Sequence, residues 1–176
     1  MGIFVCAAFC VINREMADTF FIFGAKYLYL AVVAVAFIYF IKQKRARQKQ
    51  ITVLVVLALP SIYAIAKITG LFYYSPLPFI EGNFTPLISH EADNGFPSDH
   101  VLLGAGISSV LYFFNKKVSA ALWALTFMVG ASRMYVGVHH FIDVGGSIAI
   151  AIAVTVSIYS LILGRKKSTL TENKGE

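Results

Sequence analysis

Charge is scarce in this chain. Asp, Glu, Lys and Arg make up only 14% of its 176 residues, whereas an ordinary soluble domain carries about 25%. With 58% hydrophobic residues and a mean hydropathy of +0.73, water is the wrong solvent for it. Cysteine is scarcer still: Cys6 and Cys10 stand four apart in an apolar stretch, a number and spacing that match neither a disulfide framework nor a zinc site. Both read as packing residues. The apolar N-terminus also lacks a basic n-region and a small-residue cleavage site, so export is expected to be led by the first spanning helix, not by a removable signal peptide.

What is present is a series of apolar runs of roughly 20 residues, which predicts an all-α, polytopic transmembrane helical bundle. The net charge of +6 suggests nucleic acid until the basic residues are placed. Eleven of them lie in polar intervals or the tail: Lys42, Lys44, Arg45, Arg47 and Lys49, then Lys116 and Lys117, then Arg165, Lys166, Lys167 and Lys174. This is the distribution of cytoplasmic loops under the positive-inside rule, so the charge reports topology and no nucleic-acid partner is expected. The spans are predicted over residues 20–41, 51–74, 98–115, 118–138 and 141–163, with a cytoplasmic tail at 164–176. Residues 75–97 contain Pro76, Pro78, Pro86, Gly82 and Gly95 and neither Lys nor Arg, and read as an external loop. Residues 1–12 are too short to span and are interrupted by Asn13-Arg14-Glu15, so residues 1–19 are expected to form an interfacial or re-entrant segment, or a sixth span.

Ionisable side chains inside or at the edge of spans are costly and usually mark function. His100 falls at the outer start of the third span, Arg133 near the outer end of the fourth, and His139 and Asp143 at the outer start of the fifth. Lys67, sixteen residues after Ile51, stands about 24 Å from the cytoplasmic end of its helix and joins this layer, unless it only snorkels to the interface. His139 and Asp143 are four apart, so on a helix the carboxylate can hold one imidazole N–H and leave the other nitrogen free. A plain structural pair is the alternative. Arg133, with planar donors suited to phosphate oxygens, argues for an anionic substrate over the competing metal constellation of His100, His139, His140 and Asp143. In Pro97-Ser98-Asp99-His100, Ser98 or Asp99 can cap the third span, whose free N–H groups can bind an anion. Asp99 would repel a phosphate unless it points away or pairs with Arg or Lys.

Pro97-Ser98-Asp99-His100 and the run Ser132-Arg133, five residues, His139, three residues, Asp143 together resemble the second and third signature motifs of the type-2 phosphatidic acid phosphatase superfamily. The third motif matches at every position. Asp99 replaces the Gly of the second, as in the subgroup of bacterial undecaprenyl diphosphate phosphatases, which Asn94-Gly95-Phe96 and Pro76-Leu77-Pro78-Phe79 also resemble. The likeness covers roughly residues 67–147. The first motif, Lys, six residues, Arg-Pro, departs: Leu77 stands where Arg is expected, Gly70 where Lys is expected, and Lys67 is three positions out of register. Each charge-assisted bond to phosphate so lost is worth about 1.5–3 kcal/mol, or roughly ten- to hundred-fold.

The resemblance implies a single membrane-embedded phosphatase domain over residues 1–176, with its catalytic pocket on the extracytoplasmic side of a bacterial inner membrane. It implies that His139 attacks the terminal phosphorus to give a phosphohistidine, that Asp143 orients it, and that His100 protonates the leaving oxygen and then activates water. Arg133, Ser98 and, where it reaches, Lys67 would bind the phosphate, with no metal and no cofactor; His140 reads as structural. The implied substrate is a lipid phosphate or diphosphate, first of all undecaprenyl diphosphate, then phosphatidylglycerophosphate or phosphatidic acid. Hydrolysis of the diphosphate would return the carrier for cell-wall glycan export and affect resistance to antibiotics that sequester it. The alternative class is a non-catalytic lipid-binding or lipid-moving relative.

Overall fold

The computed structural model describes residues 2–172 and, within them, the side chains of residues 14–162. The regular elements are all helices: α1 (Gly2–Ile41), α2 (Arg45–Phe72), the single turn α3 (Pro78–Glu81), α4 (Asp99–Tyr112), α5 (Lys116–Tyr135) and α6 (Phe141–Glu172). In hydrocarbon no water is present to satisfy the backbone, and a helix satisfies its own. Three of them, over Arg14–Ile41, Arg45–Phe72 and Phe141–Ile162, are long and apolar enough to cross a membrane. Leu71, Phe72, Phe141 and Leu161 are highly exposed on these helices, as residues facing lipid tails are. This is a membrane protein.

The centre of the bundle is α4, which packs against α1, α2, α5 and α6. Nine of its fourteen residues are buried, including Gly104, Ala105, Gly106, Ser108 and Ser109. Small residues let helix backbones approach closely where lipid supplies no hydrophobic drive between helices. A Cβ on Gly104 would stand 2.7 Å from Thr126 Oγ1 of α5. Polar atoms in this seam find carbonyls: Ser108 donates to Gly104 at 2.7 Å, Thr126 to Leu122 at 2.8 Å and Ser119 to Ser108 at 2.8 Å. At about 21 Å, α4 is shorter than a hydrocarbon core of about 30 Å, and its start falls short of the end of α2. Asp99 there meets Lys67, more than a turn before α2 ends at Phe72.

Several boundaries differ from the sequence expectation. α1 runs unbroken through Asn13-Arg14-Glu15, because none of these residues prevents helix formation, so no break sets off residues 1–19 as a separate segment. α5 begins at Lys116, not at residue 118, because Asn115 caps it and accepts from the N–H groups of Lys117 and Val118 at 3.0 and 3.1 Å. α6 continues past residue 163 to Glu172; the last four residues of the expected tail lie outside the described residues. α2 passes through Pro60 without a break.

Candidate active site

The ends of α2 and α5, the start of α4, the loop before it and the turn after α5 line a cavity of about 610 Å³, within the usual range for small-molecule sites. Four of the predicted site residues line it: Lys67, His100, Arg133 and His139. Ser98 and Asp143, each fully buried, stand behind.

His139 is not on a helix. It sits in the short turn between α5 and α6, and His140 takes the N-cap position, its carbonyl accepting from the N–H groups of Asp143 and Val144. Asp143, in the first turn of α6, reaches back to accept the His140 N–H at 2.7 Å, the carboxylate half of a capping box. This bond aims the carboxylate at the turn. Its Oδ2 lies 3.6 Å from His139 Nδ1, just beyond hydrogen-bond length, a looseness common in catalytic pairs without substrate. The pairing expected from the four-residue spacing is present, but helix capping produces it, not a shared helix face.

Arg133, buried in the last turn of α5, places Nη2 3.2 Å from His139 Nε2. A guanidinium can only donate, so Nε2 accepts and carries the lone pair, while the proton of the neutral ring sits on Nδ1, toward Asp143. Burial, the largest influence, lowers the pKa of His139; Asp143 opposes it and Arg133 adds to it, and the net direction is down. The neutral ring with a nucleophilic Nε2 is therefore the resting form near pH 7. Arg133 Nε and Ser98 Oγ are buried with no hydrogen-bond partner in the protein, a costly arrangement outside a functional site.

The start of α4 is tied to the start of α6. Ser147 Oγ lies 3.0 Å from the Ser98 carbonyl and 2.8 Å from the Asp143 carbonyl, and the Ser98 N–H points to the latter at 3.4 Å. Ser98 holds the N-cap position of α4, but contrary to the capping expectation its hydroxyl caps nothing. Asp99 pairs with Lys67, with Nζ 3.4 Å from Oδ2 and 5.0 Å from the centre of the Tyr63 ring. That pair is more than half exposed and adds little stability, but it holds a cation at the cavity and neutralises the carboxylate that would repel phosphate. Leu77, in place of the expected arginine, is fully buried. A Cβ built on Gly95 would stand 2.9 Å from Leu77 Cδ2 and 3.2 Å from Asp143 Oδ2, so the leucine fills apolar space close to the Asp143 carboxylate. His140 is turned away, 3.1 Å from Glu81. Among the described residues no cluster of three or more His, Cys, Asp or Glu side chains is arranged to hold a metal.

Three contributors lie outside the predicted site residues. Tyr29 of α1 meets His100 edge-on, ring centres 4.7 Å apart. His90, in the loop before α4, stands edge-on to His139 at 5.7 Å. Asn94 uses its whole hydrogen-bonding capacity: Oδ1 accepts from the N–H groups of Ser75 and Phe96, and Nδ2 donates to the carbonyls of Gly70 and Tyr73, all between 2.8 and 3.1 Å. It thereby fastens the loop to the end of α2. Asn94→Ala leaves four backbone groups unpaired and is expected to cost about 2–4 kcal/mol, read as a lower melting temperature in detergent together with lost activity. On the other wall, Gly24 of α1 lies directly against Ser132, and Tyr135 donates to Asp18 at 2.8 Å, so α1 braces the turn that carries Arg133.

The PAP2 superfamily matches over residues 52–167. Undecaprenyl-diphosphatase BcrC of Bacillus subtilis (strain 168) is 39% identical over 84 residues, 48% of this chain and 44% of that protein; the chain thus aligns with less than half of that relative's length. The bacitracin transport permease protein BcrC of Bacillus licheniformis is 28% identical over 138 residues, 78% of this chain and 68% of that protein. Among solved structures, Aquifex aeolicus LpxE superposes with a TM-score of 0.66 at 25% identity, covering 86% of this chain and 92% of that one. A PAP2-type phosphatidylglycerolphosphate phosphatase from Bacillus subtilis shares the fold with a TM-score of 0.53 at 16% identity, covering 87% of each chain. The matched region contains Lys67, Ser98, His100, Arg133, His139 and Asp143, and the chain belongs to the PAP2 superfamily.

Proposed function

We propose that the protein is a lipid diphosphate phosphatase that hydrolyses undecaprenyl diphosphate to the monophosphate and phosphate, at the extracytoplasmic face of a bacterial inner membrane. The observation that carries this reading is the pairing of a buried, neutral His139, its Nε2 lone pair facing Arg133 Nη2 at 3.2 Å, beside His100 in one cavity. The relative named undecaprenyl-diphosphatase supports the choice of substrate.

In this reading Nε2 attacks the terminal phosphorus while the P–O bond to the bridging oxygen breaks, giving a phosphohistidine. Arg133, freed from the imidazole, follows the developing charge onto the phosphoryl oxygens. Asp143 compensates the positive charge that forms on the ring. His100, which takes up a proton as the phosphate anion binds beside it, gives that proton to the leaving oxygen, then takes one from the water that attacks phosphorus, and the P–N bond breaks to release phosphate and restore His139. The scheme asks only for positioning and charge neutralisation, and draws on no metal or cofactor.

A diphosphate suits a chain that has lost the arginine of the first motif. Its leaving group is a phosphate monoester with a second pKa of about 6, which departs with little proton assistance; the alkoxide leaving phosphatidic acid is far more basic. His100→Gln is therefore expected to slow phosphatidic acid hydrolysis by about 10²-fold or more and undecaprenyl diphosphate hydrolysis much less, measured as kcat on the two lipids side by side. Equal losses would argue against this role.

The direct test is phosphate release by the purified protein in detergent with chelator present, from undecaprenyl diphosphate, phosphatidylglycerophosphate and phosphatidic acid, alongside His139→Ala. Release that survives the chelator and vanishes in the variant supports the reading. A folded protein that releases phosphate from none of them is a non-catalytic relative, a reading that Leu77 favours. Movement of lipid or drug through the bundle is less favoured, because the ionisable side chains converge at one end and do not line a path through the midplane.

A further inference from the structure

The cavity is larger than the group that reacts in it, and its loop side carries a donor outside every motif used so far. His90 lies in the loop before α4, with Nδ1 2.9 Å from the Glu91 carbonyl. A carbonyl can only accept, so Nδ1 bears the hydrogen and Nε2 is the ring nitrogen left for another partner. The ring lines the same cavity as His100, Arg133 and His139, and its plane stands at 83° to that of His139 with the centres 5.7 Å apart. A phosphorus poised about 3–3.5 Å from His139 Nε2 would have its neighbour in a diphosphate one P–O–P link further into the cavity that both rings line.

The cations of the cavity are otherwise committed. Arg133 serves the reacting phosphoryl group, and Lys67 is paired with Asp99 at 3.4 Å. Position 77, where the resemblance calls for arginine, holds a buried leucine. As an imidazolium, His90 has two N–H donors, one held by Glu91 and one free for a phosphate oxygen. The carboxylates of Glu91 and Asp93 on the same rim disfavour an anion that lacks a donor to reach.

We propose that His90 binds the second, non-reacting phosphoryl group of the substrate and so selects lipid diphosphates over lipid monophosphates. This rests on the diphosphatase reading, and the test separates the two. Binding of methylenediphosphonate and of methylphosphonate to the purified full-length chain is measured by calorimetry for the wild type, His90→Ala and His90→Gln, with melting temperatures in detergent as the folding control. The wild type is expected to bind the diphosphonate at least about tenfold more tightly than the monophosphonate, one charge-assisted hydrogen bond's worth. His90→Ala is expected to lose that difference and keep its affinity for methylphosphonate; His90→Gln, whose amide can still donate, recovers part of it. An equal preference in wild type and His90→Ala, no preference in the wild type, or equal loss for both ligands would overturn the proposal. Failure of the wild type to release phosphate from undecaprenyl diphosphate would sink the catalytic reading and leave these affinities to be read by themselves.

Discussion

His139→Gln is expected to reduce phosphate release from undecaprenyl diphosphate by about 10⁴-fold or more, the scale of loss when a covalent nucleophile is removed. Glutamine nearly fills the space of the imidazole and can still meet the Arg133 guanidinium with its amide oxygen, so the helix ends and the melting temperature are expected to hold. What disappears is the nitrogen that accepts phosphorus. The wild-type pH profile carries the same assignment. His139 must be neutral to attack, and burial, opposed by Asp143 and assisted by Arg133, holds its pKa below the ordinary value. Above that pKa the nucleophile is fully available; as pH falls through it, Nε2 gains a proton and the rate falls. The acid limb of kcat/KM in the free enzyme is therefore expected below about pH 6.5.

The second large effect belongs to Arg133→Gln. Removing a preorganised donor from developing charge is expected to lower kcat by about 10²–10³-fold, and here the residue does a second thing. Because its charge stands beside the imidazole and disfavours protonation, its removal raises the pKa of His139, and the acid limb moves to higher pH. A rate loss with an unmoved limb would show that Arg133 serves only the substrate; a moved limb with no loss would show that the phosphoryl group is held elsewhere. Arg133→Lys keeps the charge but loses the planar fork, and should leave the limb near its wild-type position while kcat remains depressed.

The sequence made some of this legible and not the rest, for reasons visible at particular residues. The third motif could be read because its parts lie within twelve positions, and the turn and cap that join Arg133, His139 and Asp143 are local. Even there the spacing suggested a helical pair, whereas Asp143 is aimed by the His140 N–H and His139 lies outside the helix. Helices α1, α2, α4, α5 and α6 were legible from apolar runs and basic intervals, although three of them, not five, are long and apolar enough to cross a membrane. The start of α5 was missed because Lys116 and Lys117 read as loop, although Asn115 before them is an N-cap residue type. Asp99 looked like an obstacle to phosphate until Lys67, a full helix away, was found against it. Tyr29 and His90 had no signal of their own, and Asn94 was legible only as part of Asn94-Gly95-Phe96, with no role attached. Their roles depend on which carbonyl or ring the fold brings near, such as Gly70 and Tyr73 for Asn94, and no local pattern encodes a contact between a loop and a helix end.

The most direct test of the central claim is to trap the covalent intermediate. The purified protein is mixed with undecaprenyl diphosphate labelled on its terminal phosphorus, quenched within the first turnover in alkaline denaturant, where phosphohistidine survives, and examined for label on the chain. The account predicts label that is lost on brief acid treatment, maps to the peptide containing His139 and is absent from His139→Gln. Steady release of phosphate by the wild type with no label at His139 under any quench would contradict it.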